Sequence, residues 1–345
     1  MTVFRNIQVG PCTMPWIDQE NIAVQKNESN INGKISPCLK PLIDSSHLLH
    51  VQDPQKSLLE KFNQDGYLFI RGLLDRETVL GAKKFVLEDM EKRGNILDTH
   101  NHDINEGVLL SRCGLGCVPY LEGRNNITHH PLVQNVLESS KLREFFEKYF
   151  FGQPALTFDF KWLRVMPRQK FTGVHVDNVY MSRGSKNLIT TWIPFGDTPM
   201  EMGTVAVCEG SHKLSSGFKK FQETYGEFDT EAQDGYEGTG WFTEDPSEIT
   251  QKFGGQWRSG DFQAGDVLLF GMRTAHMSTR NMTDKARISC DVRWQPASEP
   301  VDQRYVGKLE EKPKKFGGAY ASDEKKPDQS QEVVTMTDLK NIWGI

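Results

Sequence analysis

His175 and Asp177 stand two residues apart in KFTGVHVDNVYMSRGS, residues 170–185. In an extended strand, residues i and i+2 point to the same face, so an imidazole and a carboxylate would sit side by side. Alone, that pairing also fits an ordinary strand with two polar side chains on one face. A second histidine from another strand would complete a set of two imidazoles and one carboxylate. Such a set leaves three positions open on an octahedral iron(II), the arrangement of non-haem oxygenases. About a hundred residues later, GDVLLFGMRTAHMSTRNMTDKARISCDVRWQP places His276 just after an apolar run. A polar turn, Thr279 to Lys285, and a second strand carrying Arg287 follow. Read as a hairpin, this segment returns Arg287 beside the strand of His276. Arg287 and Ser289 share a face by the same two-residue rule. A guanidinium fork with an adjacent hydroxyl is a good receptor for a carboxylate. Three metal ligands and an anchor for the far carboxylate of a keto-diacid are therefore present.

The elements that must position these residues change character along the chain. Residues 1–56 are polar, Asn-rich and interrupted by Pro11, Pro15, Pro37, Pro41 and Pro54, which predicts an irregular extension. Ser57 is a plausible N-cap for an amphipathic helix through Leu58, Leu59 and Phe62. A Gly66 turn and a strand, Tyr67 to Ile70, follow. Helical spacing returns after Asp75 (Val79, Leu80, Ala82, Phe85, Val86) and again over Pro131–Tyr149. From Ala155 the pattern switches to short β-type runs: ALTFDFKWLRV, TGVHVDNVY, LITTWIPF, GTVAVCEGSH, GDVLLFGM and RISCDVRWQP. Strands at that spacing predict a sandwich or barrel. The span 57–300 reads as one domain, with a polar, aromatic-bearing insert over 213–264 as a possible lid. Residues 301–345 read as a charged linker, Glu310 to Glu332, and a C-terminal docking segment, TMTDLKNIWGI.

The totals restrict the partners. A net charge of −5 gives no basic footprint for nucleic acid. No apolar run approaches the roughly 18 residues of a membrane span, and no signal peptide or Ser-Lys-Leu terminus is read, so the cytosol is the default. Six scattered cysteines predict reduced thiols rather than a disulfide scaffold. Cys113 and Cys117 form a C-x3-C without the second pair that a closed zinc site wants. The oligomeric state is not legible.

In order along the chain, DGYLFIRGLLD, HVD at 175–177, TWIPFGD at 191–197, EMGTVAVCEGSH at 201–212, and GDVLLF running to His276 resemble the phytanoyl-CoA dioxygenase family of iron(II)- and 2-oxoglutarate-dependent oxygenases. Arg287, eleven residues after His276, fits the same pattern. The resemblance spans roughly residues 60–296. It implies a mainly β fold with flanking helices, a double-stranded β-helix or jelly roll. It further implies His175, Asp177 and His276 as iron ligands and Arg287 as the residue that binds the C5 carboxylate of 2-oxoglutarate. Ser278 or Ser289 would add a hydroxyl there, with Ser278 slightly favoured. Trp192 matches an aromatic lining the cosubstrate pocket, and Lys161 and Thr172 are further pocket candidates. The implied reaction consumes O2 and converts 2-oxoglutarate to succinate and CO2 while hydroxylating an unactivated C–H bond of a small-molecule or lipid-like substrate, with ascorbate as reductant. Asp177 matters because the family's halogenases replace that carboxylate with a small residue to admit halide. The long insert departs from the family pattern, so the substrate is not legible.

Other residues carry competing readings. Asn178 and Tyr180 point away from Asp177 by simple alternation, but a strand end or bulge would turn either toward substrate. Arg293 lies on the Arg287 face and would bind an anionic substrate or pair with an acidic neighbour. Trp241, Phe242 and Trp257 would line a substrate mouth or pack as core. His100, His102, His129, His130 and His212 sit in turn-like sequence and read as solvated, capping or structural. Two other functional classes stay open: a zinc hydrolase using the same His/Asp/His set, and a non-catalytic jelly-roll binding protein.

Overall fold

The computed structural model describes residues 5–17, 38–94, 96–111, 125–307 and 333–345. Cys113, Cys117 and the charged linker lie outside the described residues. Two curled sheets face each other. The first runs β1 (Arg5–Val9), β2 (Cys12–Trp16), β3 (Leu39–Pro41), β9 (Gln256–Ser259), β8 (Val205–Glu209) and β11 (His276–Ser278). The second runs β4 (Tyr67–Ile70), β10 (Val267–Gly271), β7 (Ile189–Pro194), β12 (Arg287–Pro296) and β5 (Ala155–Thr157), with β6 (Trp162–Met166) also paired to β12. From β9 to β12 the chain changes sheet at every step, which makes the fold a jelly roll with flanking helices. It also means that the Thr279–Lys285 segment is not a hairpin turn. β11 pairs with β8 in one sheet, while β12 pairs with β5, β6 and β7 in the other. Arg287 and His276 therefore belong to different sheets and are not neighbours along one ladder.

The side-chain alternation of β12 explains its place. Ile288, Cys290, Val292 and Trp294 face outward into a core shared with Leu58, Val79 and Val133 of helices Pro54–Asp65, Arg76–Gly94 and Pro131–Leu137. Arg287, Ser289, Asp291 and Arg293 consequently face inward, and all ten residues of the strand are buried. Between the sheets, Trp192, Val207, Phe262, Leu268 and Phe270 form a buried cluster.

Several boundaries differ from the sequence-based expectation. The described part of residues 1–56 is not irregular: β1 and β2 form an antiparallel hairpin, and β3 lies parallel to β9. Ile7, Val9 and Met14 are buried there against Met277, a tertiary contact that outweighs the polar, proline-broken composition. The first helix begins at Pro54, not Ser57, because Asp53 caps it by accepting from Lys56 N–H while proline occupies the first turn. The helix expected over Pro131–Tyr149 breaks after Leu137, and Ser139 caps a new start. The insert ends earlier than 264, since Gln256–Ser259 is a strand of the first sheet with Trp257 and Ser259 buried. Its period-two pattern is hidden by the polar Gln256 and Arg258. The C-terminal segment forms a helix, Met336–Trp343, with a Thr335–Asp338 capping box. Among the described residues, no helix is long and apolar enough to cross a membrane.

Candidate metal centre

The segment carrying His175 is not the long strand that its alternation predicts. Val174 and His175 make isolated bridges, to Thr243 and His276, and a helical turn, Asn178–Met181, follows at once. The bridge between the two histidines is reciprocal: His175 N–H donates to His276 O at 3.0 Å, and His276 N–H donates to His175 O at 2.9 Å. On the other side, Val174 N–H donates to Thr243 O and Phe242 N–H to Val174 O, both at 2.7 Å. The segment of His175 and Asp177 is thus held between β11 and a strap from the insert.

His175, Asp177 and His276 present ligand atoms within 4.8 Å of one another and are buried. Among the described residues, no other His, Cys, Asp or Glu group does so. His175 Nδ1 lies 2.8 Å from Gly173 O, and His276 Nδ1 lies 2.9 Å from Thr274 O. A carbonyl only accepts, so both Nδ1 atoms carry the proton and both Nε2 atoms keep their lone pairs. Those two Nε2 atoms each lie 3.8 Å from the same oxygen, Asp177 Oδ1. Two neutral imidazole nitrogens and one carboxylate oxygen converging in this way fit a divalent iron centre. Burial, together with the nearby His276, pushes His175 down to about 3 although Asp177 opposes it. Burial likewise lowers His276. Burial alone would raise Asp177, but Arg293 and the two histidines hold it well below the usual carboxylate range.

The other predicted site residues divide into two groups. Arg287 is buried, donates to Ser289 Oγ, and lies with Cζ 5.8 Å from the Trp192 ring centroid. Ser278 shares the His276 face of β11, and its Oγ accepts from Thr172 N–H at 2.8 Å. Arg287, Ser289 and Trp192 therefore share the inward face of the second sheet, and Ser278, bonded to Thr172, lies on the His276 face of the first. Trp241 is half-buried beside the segment of His175 and Asp177, its ring stacked on Phe171 at 6.4 Å.

Four candidates lie elsewhere or are already engaged. Lys161 is buried on the helix side, paired with Glu138 at 3.0 Å, where a buried ammonium needs its counter-charge. It is not a pocket residue. Arg293 is not placed for substrate, because its Nη2 donates to Asp177 Oδ2 at 3.0 Å. Asn178 and Tyr180 leave the strand alternation on the helical turn and fasten the insert. Asn178 Nδ2 donates to Gly226 O at 2.7 Å, and the Tyr180 hydroxyl donates to Thr239 O at 2.6 Å. Tyr180 still flanks the centre, its ring 5.8 Å from that of His175. Phe242 and Trp257 pack as core. His130 caps a helix and stacks on Phe85, and His212 lies against Asn63 O.

Sequence reading missed Arg164 and Asp291. Arg164 is the cross-strand partner of Ser289 and so shares the inward face. Its Nε lies 3.2 Å from Asp291 Oδ2, and its charge lowers both metal-site histidines. The signal was the two-residue alternation of Trp162, Arg164 and Met166. Cys12, Cys38, Cys208 and Cys290 are free thiols.

A family model described as phytanoyl-CoA dioxygenase matches residues 62–289. The chain is 27% identical over 275 residues to the 1-deoxypentalenic acid 11-beta-hydroxylase of Streptomyces exfoliatus, covering 75% of this chain and 87% of the relative. The protein of that name from Streptomyces arenae is 28% identical over 264 residues, covering 71% and 83%. Among solved structures, the non-heme alpha ketoglutarate dependent carbocyclase SnoK from nogalamycin biosynthesis is 19% identical, covering 76% and 92%, with a TM-score of 0.49.

Proposed function

We propose, from the premise that this chain belongs to the phytanoyl-CoA dioxygenase family, that it hydroxylates an unactivated C–H bond of a small organic molecule. The observation that carries this reading is the convergence of two imidazole Nε2 atoms on one oxygen of Asp177, beside the inward-facing Arg287. His175, Asp177 and His276 would hold iron(II), and Arg287 with Ser289 or Ser278 would take the C5 carboxylate of 2-oxoglutarate over Trp192. Iron and 2-oxoglutarate, when bound, supply the oxidising chemistry from O2, with succinate and CO2 as products and ascorbate maintaining the reduced metal.

What the chain itself does is orient and exclude. The Nδ1 hydrogen bonds to Gly173 and Thr274 fix both ring orientations. The strap over Thr239–Thr243 walls the segment of His175 and Asp177 and limits water. The Arg164–Asp291 pair adds a polar group to the inward face that would orient a substrate's polar group, and Trp241 with Phe171 offers apolar surface. The curated relatives, by their names, hydroxylate 1-deoxypentalenic acid. That supports a small organic substrate here without selecting one.

A buried Arg287 beside Ser289 supports this reading over zinc hydrolysis, which has no use for a keto-diacid. Metal analysis of protein purified anaerobically, with succinate release from 2-oxoglutarate, tests it. Wild type should contain iron and release succinate, and His175→Ala should lose both. Full succinate release by His175→Ala would overturn the assignment.

A further inference from the structure

Asp177 has two carboxylate oxygens, and the fold treats them differently. Oδ1 faces both histidine Nε2 atoms at 3.8 Å. Oδ2 accepts from the Thr190 hydroxyl at 2.5 Å and from Arg293 Nη2 at 3.0 Å. Thr190 and Arg293 are direct cross-strand partners on β7 and β12, so the ladder sets both donors on one face. The Arg293 guanidinium is stacked on Trp162 with Cζ 4.5 Å from the ring centroid. Its Nε and Nη1 are buried without a hydrogen-bond partner among the described residues. Buried unsatisfied donors are costly, so the arginine is a poor solution for packing alone.

From this geometry, and resting on the metal reading above, we infer that Arg293 and Thr190 are positioning residues. They reserve one oxygen of Asp177 for the metal, and Arg293 carries the counter-charge of the carboxylate while no metal is bound. With Oδ2 occupied by two donors, Asp177 offers a single oxygen, which keeps three coordination positions open. Without a metal, an unpaired carboxylate at this depth would be strongly unfavourable. Arg293 removes that penalty. Once a divalent cation is bound, the metal neutralises Asp177 and Arg293 becomes a second positive charge nearby. The arginine thus stabilises the metal-free protein while weakening metal binding.

Thermal melting of full-length protein with and without Co(II), together with Co(II) titration, separates this role from packing. Arg293→Gln retains an N–H donor but loses the charge, whereas Arg293→Lys retains the charge. For Arg293→Gln the expected result is a lower melting temperature without metal, a larger Co(II)-induced rise than in wild type, and roughly tenfold tighter Co(II) binding. Arg293→Lys should restore the wild-type pattern in large part. Equal losses with and without Co(II) in both variants would overturn the inference. If Arg293→Gln folds only when Co(II) is present, that is the same expectation in its extreme form. If it folds in neither condition, Arg293→Lys decides: a wild-type Co(II) rise supports the inference, and an altered rise overturns it. A wild type that shows no Co(II)-induced rise would instead sink the metal reading itself.

Discussion

At His175 the imidazole must stay neutral to serve as a ligand, and its surroundings arrange that. Its proton sits on Nδ1 toward Gly173 O, and burial pushes its pKa down to about 3, against roughly 6.5 in an unfolded chain. The sign follows from linkage: the unfolded state binds the proton more readily. The neutral ring's contribution is complete above about pH 6.5 and is lost as the pH falls toward the folded value. Metal-free protein should therefore lose melting temperature on acidification below about pH 6.5, and His175→Gln should flatten that slope between about pH 6 and 4. A wild-type slope in the variant would assign the effect elsewhere. At Arg287, the paired donors matter as well as the charge. Arg287→Lys keeps the charge but loses the fork, and should raise KM for 2-oxoglutarate by roughly tenfold to a hundredfold. Steady-state succinate release measures it.

The elements show which parts of the site the sequence could reveal. His175, Asp177 and His276, which the fold does bring together, each sit in a short local pattern that the sequence displays, as does the inward-facing Arg287. Their joint geometry was not readable, because the strands that carry them change sheets and the expected hairpin between His276 and Arg287 does not exist. Arg293 was visible as a polar inward residue, but its partner lies 116 positions away in sequence, beyond any local pattern. Lys161 misled for the opposite reason: its polarity suggested a pocket, and Glu138 on a helix claims it. The strap depends on a close approach at Gly173. A Cβ there would meet two ring atoms of Trp241 at 2.6 and 2.8 Å and Thr243 O at 2.9 Å. Gly173→Ala should thus push the strap outward and cost about 1–3 kcal/mol. Adding Trp241→Ala should recover only part of the loss, because the backbone oxygen remains. Denaturant melts of the single and double variants test this, and complete recovery would show that the ring alone sets the fit.

Across the whole molecule, both ends of the chain are fastened to the sheet and insert that carry the site. Val9 bridges Thr279, one residue beyond β11, and Arg5 pairs with Glu201 and Asp261. At the other end, Leu339 is buried in the same core as Phe221 and Phe242, and Trp343 packs on Phe228 with ring centroids 5.6 Å apart. Lys340 adds a pair with Glu248 at 2.9 Å. Truncation after residue 332 uncovers the insert behind the strap, and should cost about 2–5 kcal/mol for the lost apolar contacts. It should also hasten proteolysis within 213–255. Limited proteolysis with mass mapping checks this, and an unchanged cleavage pattern would show that the insert holds itself.

The reciprocal bridge between His175 and His276 would also bear on the size of ion that a metal centre here accepts. Two of the three candidate ligands are joined by their own main chains, which would resist a change in the gap between them. Asp177 instead stands at the start of a helical turn, on a different kind of support. A difference in ionic radius must therefore be absorbed by the carboxylate, and any such movement is felt at once by Thr190 and Arg293. In such a centre Asp177 would be the adjustable arm of a calliper, tied through Thr190 and Arg293 to the opposite sheet.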